Sequence, residues 1–109
     1  MFELFQSENN KKYYFNLKAK NGQVILSSQG YADKSGAKNG IESVKTNCND
    51  DNKFERKTAS NGKFHFNIKA SNGQIIGSSQ MYAGESGMEN GIESVKTNAP
   101  SASVEDKTK

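Results

Sequence analysis

The chain has 109 residues and a formal charge of +3, from 15 Lys and Arg against 12 Asp and Glu; 32% of it is hydrophobic, with 10 Gly and no Trp. No apolar run approaches a membrane span, the start MFELFQSENNKK lacks the apolar core of a signal peptide, and the lone Cys48 excludes an internal disulfide, so a cytoplasmic protein is the expectation. The basic residues are scattered, whereas a nucleic-acid binder usually gathers them on one face or run.

A first strand is expected at Phe2–Phe5, followed by the polar turn SENNKK. Residues 13–19 then alternate, with Tyr13, Phe15, Leu17 and Ala19 on one side and Tyr14, Asn16 and Lys18 on the other. That period of two marks a strand with one buried face. Asn21-Gly22 predicts a two-residue type I′ turn and a returning strand over Gln23–Gln29. Such a turn pairs Ala19 with Val24, Leu17 with Leu26 and Phe15 with Ser28 on the inner face, leaving Ile25 outside. After Tyr31 the spacing becomes helical: Ala37, Ile41 and Val44 form one apolar stripe over about three turns, with Asp33 as N-cap. Gly36 and Gly40 each cost about 1 kcal/mol of helix propensity relative to Ala, and imply a smooth face where the helix sits close to the sheet. Asn47–Lys53 is the linker.

From Phe54 the plan starts again. Phe54–Lys57 repeats the first strand, and Phe66–Asn98 repeats Phe15–Asn47 at an offset of 51 residues with 24 of 33 positions identical. Phe64, Phe66, Ile68 and Ala70 alternate with His65, Asn67 and Lys69, and Asn72-Gly73 predicts the same turn, with Ala70 facing Ile75 and Ile76 outside. Met88, Ile92 and Val95 form the second helical stripe, with Ser86 and Glu89 as a capping box. The first strands are offset by 52 residues, so SENNKK holds one extra residue. Pro100 stops the second helix, and a short strand around Val104 precedes a frayed polar tail at 107–109.

The expected core is Phe15, Leu17, Leu26, Ile41, Val44, Phe66, Ile68, Ile75, Ile92 and Val95. A unit of about 50 residues buries too little surface alone. The two repeats, about 1–51 and 52–109, therefore share one core in a single domain. Leu26 becomes Gly77 while Gly30 becomes Met81 and Ala37 becomes Met88, which reads as compensation within an asymmetric core.

The doubled pattern of NGQ, SSQ-x-Y and NGIESVK-x-N resembles the YegP-like family of small bacterial proteins, a domain of unknown function often found in tandem. The resemblance covers nearly the whole chain. It implies an α+β fold in which tandem β-β-β-α-β repeats merge into a single antiparallel sheet with two helices on one face and C-terminal strands exchanged between repeats. Gly77 and Gly84 depart from the pattern, standing where bulkier or capping residues would be comfortable. The family brings no catalytic residues and no ligand.

No catalytic, cofactor or metal residues emerge from the chain itself. His65 aligns with Tyr14 and Cys48 with Ala99, so neither is required by the repeat, and no base–nucleophile or carboxylate grouping accompanies them. A non-enzymatic protein without cofactor is the expectation, and an internal pseudo-dimer suggests a monomer. The outer sheet face is the candidate interaction surface: Tyr14, Asn16, Lys18, Gln29 and Tyr31 with His65, Asn67, Lys69, Gln80 and Tyr82. Antiparallel sheets routinely leave one face polar and wet, which accounts for this surface without a partner. Read as functional, it suits a protein or another macromolecule, with single-stranded nucleic acid as the alternative, since aromatics interleaved with Lys on an open sheet can stack bases. The helices differ in charge, Lys34 and Lys38 standing where the second copy has Glu85 and Glu89. That difference fits either a drifted solvated surface or an asymmetric partner surface.

Overall fold

The alternating segments become strands in the computed structural model, which describes residues 1–108. The strands are β1 (Phe2–Gln6), β2 (Tyr13–Lys18), β3 (Val24–Ser28), β4 (Phe54–Thr58), β5 (Phe64–Lys69), β6 (Ile75–Ser78) and β7 (Val104–Asp106). Helix α1 (Lys34–Asn47) follows β3, and α2 (Glu85–Asn98) follows β6. One sheet results, in the order β4-β5-β6-β3-β2-β1-β7. Each repeat supplies an antiparallel meander, the two join through β3 and β6, and both helices pack on one face. The pairing is antiparallel except at β1 and β7, where the strand after α2 crosses to the first repeat's edge and lies parallel. The expected strand exchange is seen in this direction. The matching segment after α1 runs into β4 and opens the second repeat.

The hairpin turns differ from the expected type. Gly22 and Gly73 hold φ near +86° and +84°, but Asn21 and Asn72 do not enter the left-handed region. The Gly22 N–H donates to Ala19 O and the Ala19 N–H to Gln23 O, both at 2.9 Å. This is a type I turn followed by a left-handed glycine, closing a three-residue loop. The same turn recurs at Asn61-Gly62 between β4 and β5, where sequence reasoning placed none. In all three, the Asn Oδ1 accepts the N–H two residues on at 3.0 Å. The β1–β2 turn has four loop residues, Glu8–Lys11, and Lys11 takes the left-handed position at φ 61°. That accounts for the extra residue in SENNKK.

In the β2–β3 and β5–β6 hairpins the three-residue loop shifts the pairing beside the turn by one residue, and a bulge restores the expected register beyond it. Leu17 pairs with Leu26 as expected, but Lys18 rather than Ala19 pairs with Val24, and Lys69 rather than Ala70 pairs with Ile75. Ile25 and Ile76 are the unpaired extra residues. They enter the core at 6% and 7% exposure, whereas Ile75 stands 36% exposed. The expected sides of these isoleucines are therefore reversed. The other nine expected core residues are buried, and Phe2 and Phe54 join them in one cluster drawn from both repeats.

The two repeats meet at a pseudo-two-fold axis between Ser27 and Ser78, equivalent residues that pair with each other. Beside them, a Cβ on Gly77 would stand 2.9 Å from Leu26 Cγ. Only one of these equivalent positions can carry bulk. Met88 is buried and takes the second compensating place, but Met81 is 49% exposed and lies outside the core.

The glycines of the helices receive tyrosines. Tyr31 stacks on Phe15 at 6.2 Å and Tyr82 on Phe66 at 6.5 Å, and each hydroxyl occupies the space that a Cβ on Gly40 or Gly91 would need. Tyr31 bridges Tyr13, and Tyr82 bridges Phe64, which puts them in register with inner residues. Their expected place on the outer face is thus corrected. Asp33 caps α1, its Oδ1 accepting the Gly36 N–H at 2.8 Å. The Ser86–Glu89 box does not form: α2 starts at Glu85 after Gly84, and Arg56 holds the Glu89 carboxylate. Of the tail expected at 107–109, Lys107 donates its N–H to Leu4 O and Thr108 bonds Asp106. Lys109 lies outside the described residues.

The shared space at the seam is testable. Leu26→Ala should cost about 2–5 kcal/mol, and Gly77→Leu about 1–3 kcal/mol from overpacking. The double variant should cost less than the sum by roughly 0.5–3 kcal/mol, read from urea unfolding. Strict additivity would show that the two side chains do not compete.

Candidate interaction face

With both helices on one side, strand alternation sends the opposite set of side chains to an uncovered face. Tyr14, Asn16, Lys18, His65, Asn67 and Lys69 lie there by their pairing, while Gln29 and Gln80 are exposed just beyond β3 and β6. Tyr31 and Tyr82 do not.

Two carboxylates, one in each half, were missed. Glu3 pairs with Asn16 across β1 and β2, and Glu55 with Asn67 across β4 and β5. The Lys18 and Lys107 ammonium groups lie 3.0 and 2.9 Å from Glu3 Oε2. Those two lysines, Lys107 foremost, hold the Glu3 carboxyl below its ordinary range. Glu55 accepts from Asn67 Nδ2 at 3.0 Å and meets Lys69 at 3.0 Å, and is likewise lowered, chiefly through Asn67. Ser27 and Ser78 complete the pattern by donating to Asn16 and Asn67 Oδ1 at 2.9 and 2.6 Å. Repetition of Phe-Glu at Phe2-Glu3 and Phe54-Glu55 was the signal available in the sequence. The candidate lysines are therefore not free cations, and a phosphate would have to displace a carboxylate.

The flanks of the face differ between repeats. Phe5 stacks on Tyr14 at 5.9 Å, and both line a shallow cleft with Asn16 and Ser27. Gly30 leaves room for this ring, since a Cβ there would stand 2.9 Å from the Tyr14 hydroxyl. In the second repeat His65 replaces Tyr14 and Met81 replaces Gly30; the His65 Nδ1 is buried without a hydrogen-bond partner. Among the described residues no three His, Cys, Asp or Glu come together as metal ligands. Cys48 is buried and its thiol is pushed up by that burial, which disfavours a thiolate.

One of the contrasting charges on each helix, Lys34 on α1 and Glu89 on α2, has a partner within the chain. Lys34 lies 2.6 Å from Asp106 of β7. Glu89 meets Arg56 of β4 at 2.6 Å, Arg56 reaches Asp51, and Asp51 meets Lys96 at 2.9 Å. Each helix thus carries charges suited to the edge beside it. No helix among the described residues is long and apolar enough to cross a membrane.

The profile of a domain of unknown function, DUF1508, matches residues 8–55 and again 59–106. The UPF0339 protein YegP of Escherichia coli (strain K12) is 53% identical over 107 residues, spanning 98% of this chain and 96% of that protein. A UPF0339 protein in the ptx operon 5′ region of Stutzerimonas stutzeri is 52% identical over 103 residues, spanning 94% and 92%. The solution NMR structure of yegP from E. coli, described as a protein of unknown function, shows a TM-score of 0.93 at 52% identity, with 98% of this chain and 91% of that chain covered. That of a UPF0339 protein from Shewanella oneidensis has a TM-score of 0.93 at 48% identity, with 98% and 90% covered.

The Asp51 cluster gives a pH dependence. Hydrogen bonds from Lys96 and then Arg56 lower Asp51 from 3.8 to about 2. Its folded value lies below the unfolded one, so the stabilising contribution is complete above pH 3.8 and is lost as pH falls through about 2. Urea midpoints stepped across that window should fall more steeply for the native chain than for Asp51→Asn. Equal slopes would mean that the pairs contribute nothing in solution.

Proposed function

The chain belongs to the UPF0339 family, the YegP-like proteins built on the DUF1508 domain, and on that premise we propose that it is a small non-enzymatic module that binds a protein partner through its uncovered sheet face. One observation carries this reading: accessible apolar groups flank a sheet face that neither helix covers. Asn16, Ser27, Glu3 and Lys18, and their equivalents Asn67, Ser78, Glu55 and Lys69, form a centre of mutually paired polar groups. Phe5, Tyr14 and Met81 flank it as accessible apolar groups, the residue types that anchor protein interfaces. An antiparallel sheet with one wet face needs no partner, so the reading rests on those flanking groups. Pairing of Lys18 and Lys69 with carboxylates weighs against a polyanion.

A double variant, Tyr14→Lys with Met81→Lys, changes both flanks and should cost no more than about 1 kcal/mol of stability. Proteins captured from the host lysate by the native chain should be lost by this variant and kept by Glu42→Lys, an exposed change on α1. Equal capture by all three would sink the reading. Salt-dependent binding of a single-stranded oligonucleotide, lost in the same double variant, would replace it with the nucleic-acid alternative.

A further inference from the structure

The two edges of the sheet are equivalent in sequence but not in occupancy. At one edge β1 turns the backbone groups of Phe2 and Leu4 outward, where β7 takes them up: the Phe2 N–H donates to Ser103 O, and Leu4 O accepts from the Lys107 N–H, both at 2.8 Å. At the other edge β4 has the same orientation, because Phe54, Glu55 and Arg56 pair with Ile68, Asn67 and Phe66 as Phe2, Glu3 and Leu4 pair with Leu17, Asn16 and Phe15. The Phe54 N–H is occupied by Asp51 O. The outward N–H and C=O of Arg56, and those of Thr58 beyond it, have no neighbouring strand among the described residues.

We propose that the free edge of β4 takes up an extended segment of a partner protein, added in parallel as an eighth strand, with Lys or Arg where β7 carries Asp106. Strand addition of this kind draws its affinity from main-chain hydrogen bonds and its specificity from alternate side chains. Here β7 is the template for both. Its Asp106 meets Lys34 near the start of α1; the equivalent of Lys34 is Glu85, which has no ion-pair partner among the described residues and sits near the start of α2. The contact of Glu89 with Arg56 places this end of α2 over β4. Val104 of β7 lines one open cleft together with Ile41 and Lys38 of α1, whose equivalents are Ile92 and Glu89. The segment that fits has an apolar residue followed two positions later by a basic one. Charged side chains on β4 also guard an edge against indiscriminate pairing, so selectivity should show as a charge preference.

Two synthetic peptides provide the test, Ser-Val-Glu-Lys-Lys-Thr and Ser-Val-Glu-Asp-Lys-Thr, added at millimolar concentration to the isotope-labelled full chain. The first should shift the amides of β4 and the start of α2, leave β7 unmoved, and bind about fivefold more tightly than the second. Glu85→Lys should reverse that order. Tyr14→Lys with Met81→Lys should leave it intact, which separates this site from the sheet face. No shift along β4, an order unchanged by Glu85→Lys, or a dimer of the free chain joined through β4 would each overturn the proposal.

Discussion

Everything in this molecule depends on the short junction between β3 and β6. A three-stranded meander with one helix leaves an inner surface that it cannot close by itself, and the remedy is a second copy placed edge to edge. The pseudo-two-fold axis at Ser27 and Ser78 sets that placement. Steric exclusion follows at once, since Leu26 fills the space over Gly77. Two repeats that both carried leucine at this place could not have packed this way.

The same asymmetry extends outward to the edges. Because β7 lies on the outer side of β1, while among the described residues no strand lies on the outer side of β4, the two helices face different neighbours. Lys34 answers Asp106, and Glu89 answers Arg56. A residue-by-residue comparison of the repeats made these substitutions look like surface drift. In three dimensions Lys34 pairs with the last strand and Glu89 with the edge strand β4.

Much of this was legible in the sequence because it lies in periodicity and in repetition. Alternation at Phe15 and Leu17, the stripe of Ile41 and Val44, and the Asp33 cap are local signals, and each stands where expected. The errors share a cause. Asn-Gly admits more than one turn, and the choice of a three-residue loop with a bulge moved Ile25 and Ile76 inward and Ile75 outward. Tyr31 and Tyr82 were misplaced because alternation was carried past Ser28 and Ser79, whose hydroxyls accept the Phe15 and Phe66 N–H groups in place of backbone. On the candidate face, the amides and lysines were found but Glu3 and Glu55 were not. Their role depends on a cross-strand register that periodicity alone does not supply.

The diagonal lie of the helices has a consequence for how the chain reaches its native state. Helix α1 touches β5 and β6 as well as β1 and β2, and α2 reaches β3. The apolar stripe of the first helix therefore has no complete seat until strands some thirty residues downstream exist. Contacts of such long sequence separation slow the search for the native state. On the ribosome the first repeat would wait, collapsed but unlocked, until the second had emerged. A duplication that looks like two modules is thus expected to fold as one unit.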